Sequence, residues 1–183
     1  MFINDRLLYL ELHKTGCSHV LKILQSIPGF GGKTIGKHNS IYDVPFTQLG
    51  DLTTKLKVGN IRNPWDWYVS LWAFGSMKKG GLYEQLTNKR LINKLKNPKL
   101  FFRPSAQWIA VFEDAQNPEL FRRWLKMILQ TNRKDIHEFR RVNDKLSIGL
   151  LSTRYLHLYN NDFQKHGKSL QHLEEIIQFD KAH

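Results

Sequence analysis

The first thirty residues constrain the fold of this chain more than any other part of it. Leu7-Leu8-Tyr9-Leu10-Glu11-Leu12 is a short apolar run of the kind that fills a buried strand. It breaks into a polar, small-residue stretch, His13-Lys14-Thr15-Gly16-Cys17-Ser18-His19. Val20-Leu21-Lys22-Ile23-Leu24 then resumes with helical spacing and stops before Pro28-Gly29. Strand, tight loop and helix in that order open an α/β domain.

The pattern continues. Gly29 to Lys37 is a glycine-rich loop around a short second strand near Thr34-Ile35. Leu56 to Ile61 reads as a further strand. It runs into Arg62-Asn63-Pro64, where Pro64 suits the first turn of a helix. Trp65, Tyr68, Val69 and Trp72 then recur as one helical face, which places Trp65 and Trp72 in the core and leaves Trp67 outside. The second half is mostly helical. Tyr83 to Leu95 is a basic helix candidate. Pro118 opens a helix with Leu120, Phe121, Trp124, Leu125, Ile128 and Leu129 on one face, and Ser169 to Phe179 is amphipathic. Ile148 to Tyr159 fits either helix or strand. The alternation predicts an α/β domain with a parallel sheet and a helix-rich C-terminal half, as a single domain over residues 1–183 that is short at its C-terminus.

Charge narrows the partners. Lys and Arg number 28 and Asp and Glu 16, a net charge of +12. Nucleic acid, an anionic surface or polymer, and a phosphorylated cofactor all answer to such a surplus. No apolar run approaches the roughly 18 residues of a membrane span. Met1 to Arg6 has no basic segment followed by an apolar one, so a cytoplasmic protein is expected. Cys17 is the only cysteine, which excludes an internal disulfide and a thiolate zinc site within one chain.

A loop that leaves a strand and enters a helix points backbone N–H groups at whatever lies above the helix N-terminus, and the helix dipole favours an anion there. In Lys14 to His19, Gly16 allows close approach of the backbone, Thr15 and Ser18 offer hydroxyls, and Lys14 offers a point charge. An ordinary polar turn has the same composition, so the loop alone does not decide. It is not a Walker A loop. The nearest match is Gly31-Gly32-Lys33-Thr34, and Ile27 stands where the first glycine belongs. It is not a cysteine phosphatase loop either, because Ile23 occupies the position of the required arginine; Cys17 reads as a small residue that fits the turn. Further on, Arg62 sits at a strand end and Ser70 two turns into the next helix. An arginine there can grip a phosphate through two N–H groups and a serine can add a hydroxyl.

Taken together, His13-Lys14-Thr15-Gly16-Cys17-Ser18 and Arg62-Asn63-Pro64 with Ser70 resemble the motifs of the sulfotransferases that use 3′-phosphoadenosine 5′-phosphosulfate (PAPS). That family's 5′-phosphosulfate loop reads close to P-K-[ST]-G-[ST]-[ST], and its 3′-phosphate motif has R-[ND]-P with a serine eight residues after the arginine. His13 replaces the usual proline and Cys17 a hydroxyl residue or glycine. The resemblance covers roughly residues 7–75. It implies a P-loop-like three-layer fold, a central parallel sheet flanked by helices, and transfer of a sulfuryl group from PAPS to an acceptor hydroxyl without a metal. Lys14, Thr15, Gly16, Cys17, Ser18 and His19 would hold the 5′-phosphate, with Lys14 also catalytic, and Arg62 and Ser70 would hold the 3′-phosphate.

The acceptor needs a general base with a pKa near working pH. His38 is the candidate, in a Gly36-Lys37-His38-Asn39-Ser40-Ile41-Tyr42 stretch loosely similar to the G-H-x-x-[FY] segment of the uronyl 2-O-sulfotransferase branch. Glu11 is the runner-up. A carbohydrate, an anionic saccharide among the candidates, is the acceptor this branch suggests. Lys78-Lys79-Gly80-Gly81 and Arg103-Pro104 could meet such an acceptor, and Arg154 could face cofactor or acceptor. His137, His157, His166, His172 and His183 show no metal-ligand spacing. Two other classes compete. A basic nucleic-acid-binding module fits the charge, but no recognisable motif and no interleaving of basic with aromatic residues support it. A P-loop kinase-like phosphotransferase lacks its Walker A loop and a clear Walker B acid.

Overall fold

A computed structural model describes residues 1–87, 105–130, 136 and 148–160. Four strands and seven helices make up these residues. In chain order they are β1 (Phe2–Ile3), β2 (Leu7–Leu10), α1 (Cys17–Ser26), β3 (Lys33–Thr34), α2 (Phe46–Leu49), β4 (Leu56–Gly59), α3 (Pro64–Ser76), α4 (Gly81–Thr87), α5 (Ser105–Ala110), α6 (Pro118–Gln130) and α7 (Leu150–Tyr159).

The sheet runs β3-β1-β2-β4 and is mixed, which corrects the expected parallel sheet. Only β2 and β4 are parallel, in the register Leu7↔Leu56 to Leu10↔Gly59. β1 pairs antiparallel with both β2 and β3. A local turn makes the difference. Asn4 Oδ1 accepts from the backbone N–H groups of Arg6 and Leu7 at 2.9 and 2.7 Å, folding the chain back after Ile3 so that Phe2 pairs with Tyr9.

Strand alternation sends side chains to opposite faces. Phe2 and Tyr9 pack with Cys17 against Val20, Leu21 and Leu24 of α1. Ile3, Leu8 and Leu10 pack on the other face with Met1, Val44 and Leu49. The largest core lies in the helical lobe, where α3, α4, α6 and α7 contribute Trp67, Tyr68, Trp72, Tyr83, Trp124 and Leu156, and Phe112 joins them from the loop after α5. Inside it Trp72 Nε1 donates to the Val111 carbonyl at 2.7 Å, and the N–H of Leu150, in the first turn of α7, donates to Tyr68 Oη at 3.2 Å.

In α3, Trp72 is buried as expected, whereas Trp65 and Trp67 exchange places. Trp67 is fully buried and Trp65 is 67% exposed; Val69 is exposed as well. The apolar face of α3 runs through Tyr68, Leu71, Trp72 and Gly75, and Trp67 joins it because its indole N–H reaches inward to the His13 carbonyl at 2.6 Å. Helix α7 settles the ambiguous 148–159 segment as helical and ties lobe to sheet, since Tyr159 Oη donates to the Leu10 carbonyl at 3.1 Å. Tyr159 leaves no room at β4: a Cβ on Gly59 would lie 1.6 Å from its hydroxyl. Helix α4 occupies the start of the expected 83–95 helix, and α6 matches the expected one, with Leu129 on its exposed side. The remainder of 83–95, Arg103-Pro104, the 169–179 segment and His137, His166, His172 and His183 lie outside the described residues. No helix among the described residues is long and apolar enough to cross a membrane.

Candidate functional site

Helix α1 starts abruptly. Its N-cap is Gly16, in the left-handed region at φ 84°, with no side chain capping the first turn. Lys14, two residues earlier, is also left-handed at φ 62°, a conformation unusual for a residue with a Cβ. The loop therefore doubles back tightly between β2 and α1. Thr15 Oγ1 donates inward to the Leu12 carbonyl at 2.9 Å and fixes the turn. The Cys17 thiol is buried against the sheet, and burial together with Glu11 pushes its pKa up, so it stays a protonated, unreactive thiol.

Above this loop lies a cavity of about 550 Å³, within the range of small-molecule sites. Lys14, Gly16, Cys17, Ser18 and His19 from the loop and the first turn of α1 line it, with His13, Lys37, His38 and Arg154, and with Phe74, Lys79, Gly81 and Tyr83 from α3, α4 and the turn between them. Among the described residues that line it, none is acidic. The cavity combines fixed positive charge with an aromatic wall. The Lys14 ammonium rests over the Phe74 ring, 4.1 Å from its centroid. Burial, Arg62 and Lys37 all push the Lys14 pKa down, the mark of a cation in cationic surroundings. Lys37 Nζ donates to Ser18 Oγ at 3.1 Å and so joins the His38 loop to the Lys14 loop.

His38 is held by its backbone and by one hydrogen bond. Its backbone is left-handed at φ 61°. Its Nδ1 lies 2.7 Å from the Glu11 carbonyl, a contact that requires the proton on Nδ1 and leaves the Nε2 lone pair open. Burial lowers its pKa, opposed by the Glu11 carbonyl, so the imidazole is neutral at pH 7. Glu11 itself is fully buried beside the Met1 ammonium, 2.9 Å away, and does not line the cavity; the residue serves the site through its carbonyl.

The second expected phosphate group sits at the edge of this arrangement. Arg62 is exposed, and its Nη1 donates to the Lys14 carbonyl at 3.4 Å, so the two motifs meet at the loop. Asn63 explains the next position without a ligand: its side chain accepts from Trp65 N at 2.9 Å and caps α3, with Pro64 in the first turn. Ser70 is half-buried in α3 and, like Thr15 and Arg62, is not among the residues that line the cavity.

Sequence reasoning left His13 and Lys37 without a role. The rings of His13 and His38 stack with centroids 3.6 Å apart and planes 19° from parallel. Arg154, only 7% exposed, lies over the Trp67 ring at 5.5 Å. An arginine inside the apolar run Leu150 to Tyr159 was the available signal for the second pair. The first pair joins residues 25 positions apart and had none. Among the described residues, no group of three or more His, Cys, Asp or Glu is placed to hold a metal ion. Comparison with protein-family models, with curated proteins and with solved structures returned no match.

Proposed function

We propose that this chain is a PAPS-dependent sulfotransferase, moving a sulfuryl group to an acceptor hydroxyl, with a carbohydrate as the favoured acceptor. The observation that carries the reading is the convergence of the Lys14–His19 loop, Lys37 and a neutral, pre-oriented His38 on one cavity without an acidic lining residue among those described. The donor set fits the group: lysines and backbone N–H groups suit a phosphosulfate, and the Arg62 guanidinium beside the loop suits a second phosphate. A P-loop-like arrangement, with β2 and β4 as its parallel pair, belongs to the same proposal.

PAPS, when bound, supplies an activated sulfuryl group whose transfer releases adenosine 3′,5′-bisphosphate. The residues around it would act by position and charge, as in phosphoryl transfer. His38 Nε2 takes the proton of the acceptor hydroxyl as its oxygen bonds to sulfur. Lys14, which rests over Phe74, would stabilise the negative charge that develops on the leaving phosphate oxygen. Gly16, Cys17 and Ser18 hold the 5′-phosphate through the first turn of α1, while Arg62, with Ser70, holds the 3′-phosphate.

The reading is tested by incubating the chain with PAPS and a panel of saccharide, phenol and alcohol acceptors, and measuring adenosine 3′,5′-bisphosphate formation. Acceptor-dependent release that falls roughly 10²-fold or more in His38→Ala is the expected result. Turnover above about a third of wild type in that variant would remove His38 from the mechanism. Salt-sensitive oligonucleotide binding that PAPS does not displace would favour a nucleic-acid module instead.

A further inference from the structure

Two stacked imidazoles line the cavity, and the functional reading uses only one. We propose that His13 is a positioning residue for His38: the two stacked rings work as a single base in which His13 is the fixed platform and His38 the ring that takes the proton. The proposal rests on the reading of His38 as the proton acceptor and adds how that ring is held.

The geometry separates the two roles. His38 sits on a loop, at a left-handed residue, so neither helix nor strand fixes the direction of its side chain. Two contacts do. Glu11 O takes the Nδ1 proton at 2.7 Å, and the His13 ring covers one face at 3.6 Å. A hydrogen bond alone leaves the ring free to swing about the N–H···O direction; a stacked neighbour removes that freedom. His13 is itself anchored through its backbone. Its carbonyl accepts from Trp67 Nε1 at 2.6 Å, and Trp67 is pinned in the core with Arg154 over its ring. The loop, α3 and α7 thus back the platform in turn.

Charge assigns the proton to His38. The groups that act on the pair are Glu11 at the end of β2, Lys37 on the His38 loop, and Arg154 and His157 on α7. Burial, then Arg154, pushes His13 down to about 2, so this ring stays neutral. Its Nδ1 is buried and has no hydrogen-bond partner among the described residues. His38 has the Glu11 carbonyl to stabilise its charged form, which His13 lacks. Lys37 and Arg154 oppose an imidazolium at His38. The π face of a neutral ring attracts a cation, so the platform offsets part of that opposition when the proton arrives.

Two-bond ¹H–¹⁵N correlation spectra of the full chain, titrated from about pH 8 to pH 5, test this without acceptor or cofactor. In the wild type, His38 is expected as the Nδ1–H tautomer and His13 as a ring that does not titrate. His13→Ala should mix the tautomers of His38 and move its midpoint by about half a pH unit or more. His13→Phe keeps a ring face without ring nitrogens and should restore both wild-type signatures. A His13 that titrates in the wild type overturns the proposal, whether or not the variants fold. So does an unchanged His38 in His13→Ala, or a folded His13→Phe that behaves like the alanine variant. Adenosine 3′,5′-bisphosphate binding on the same samples keeps the two claims apart. Its absence in the wild type defeats the sulfotransferase reading and leaves the ring result standing; tautomer data against the platform leave nucleotide binding untouched.

Discussion

The sheet that carries the Lys14 loop and the helical lobe behind it bury their side chains by different means. Strands of two to four residues give the sheet little area, and its edge strand β4 keeps Leu56 and Val58 exposed. The lobe interlocks Trp67, Tyr68, Trp72, Phe112, Phe121 and Trp124, with ring centroids 5.1 to 6.2 Å apart. The sheet side holds Lys14 and His38 in left-handed conformations, whereas the lobe supplies the aromatic wall and the backing of His13. Strained residues persist only where the surroundings over-determine them. The contrast teaches that a small sheet can carry a strained loop when a larger aromatic core is fastened to it, here through Trp67 and Tyr159.

The sharpest way to break this comparison is at Trp124, fully buried among the aromatic rings. Trp124→Ala should cost about 3–5 kcal/mol in denaturant unfolding. Trp124→Phe should cost much less, because the indole N–H is buried without a hydrogen-bond partner among the described residues. An alanine variant within about 1 kcal/mol of wild type would move the seat of stability out of the lobe. Next comes the seam between the halves. Gly59→Ala forces the new methyl onto Tyr159 and should cost about 1–3 kcal/mol by thermal unfolding. A neutral result would mean that Tyr159 is not held there. Smaller again is the cap of α3: Asn63→Ala should cost about 1 kcal/mol and Asn63→Asp close to nothing. If both variants proved neutral, Asn63 would have no capping role.

The gentlest probe is pH. His13 and His38 both lie below the ordinary value of 6.5 when folded. The unfolded chain therefore binds more protons than the folded one below that value. Their contribution to stability is complete above about pH 6.5 and falls as the pH falls, on the order of 1 kcal/mol per pH unit for His13, held near 2 when folded. His13→Phe should remove most of that slope between about pH 6.5 and 5. An unchanged slope would show that His13 takes up its proton while folded.

How much of this the sequence carried varies with the range of the interaction. β2, α1, β4 and α3 were legible because each is a local run with its own period and punctuation, such as Pro64. β3 was legible as a short strand near Thr34-Ile35; β1 was not, because a two-residue strand has no period and only its pairing with β2 across the Asn4 turn, and with β3, defines it. The exchange of Trp65 and Trp67 has a different cause: spacing marks a helical face but not which of two large rings finds a buried acceptor. Of the candidate site, the Lys14 loop and His38 were legible as local motifs and share the cavity. The stack of His13 on His38 and the packing of Tyr159 against Gly59 join residues far apart in the chain, and no single-sequence pattern encodes them.

The central claim is that the Lys14 loop and Arg62 form one site for a nucleotide carrying both 5′- and 3′-phosphates. Calorimetric titration with adenosine 3′,5′-bisphosphate, for wild type beside Arg62→Ala and with ATP as control, tests it most directly. Binding that prefers the 3′-phosphorylated ligand and weakens about ten- to a hundredfold in Arg62→Ala is the predicted result. Absent binding, equal binding of ATP, or an Arg62→Ala variant as tight as wild type would contradict it.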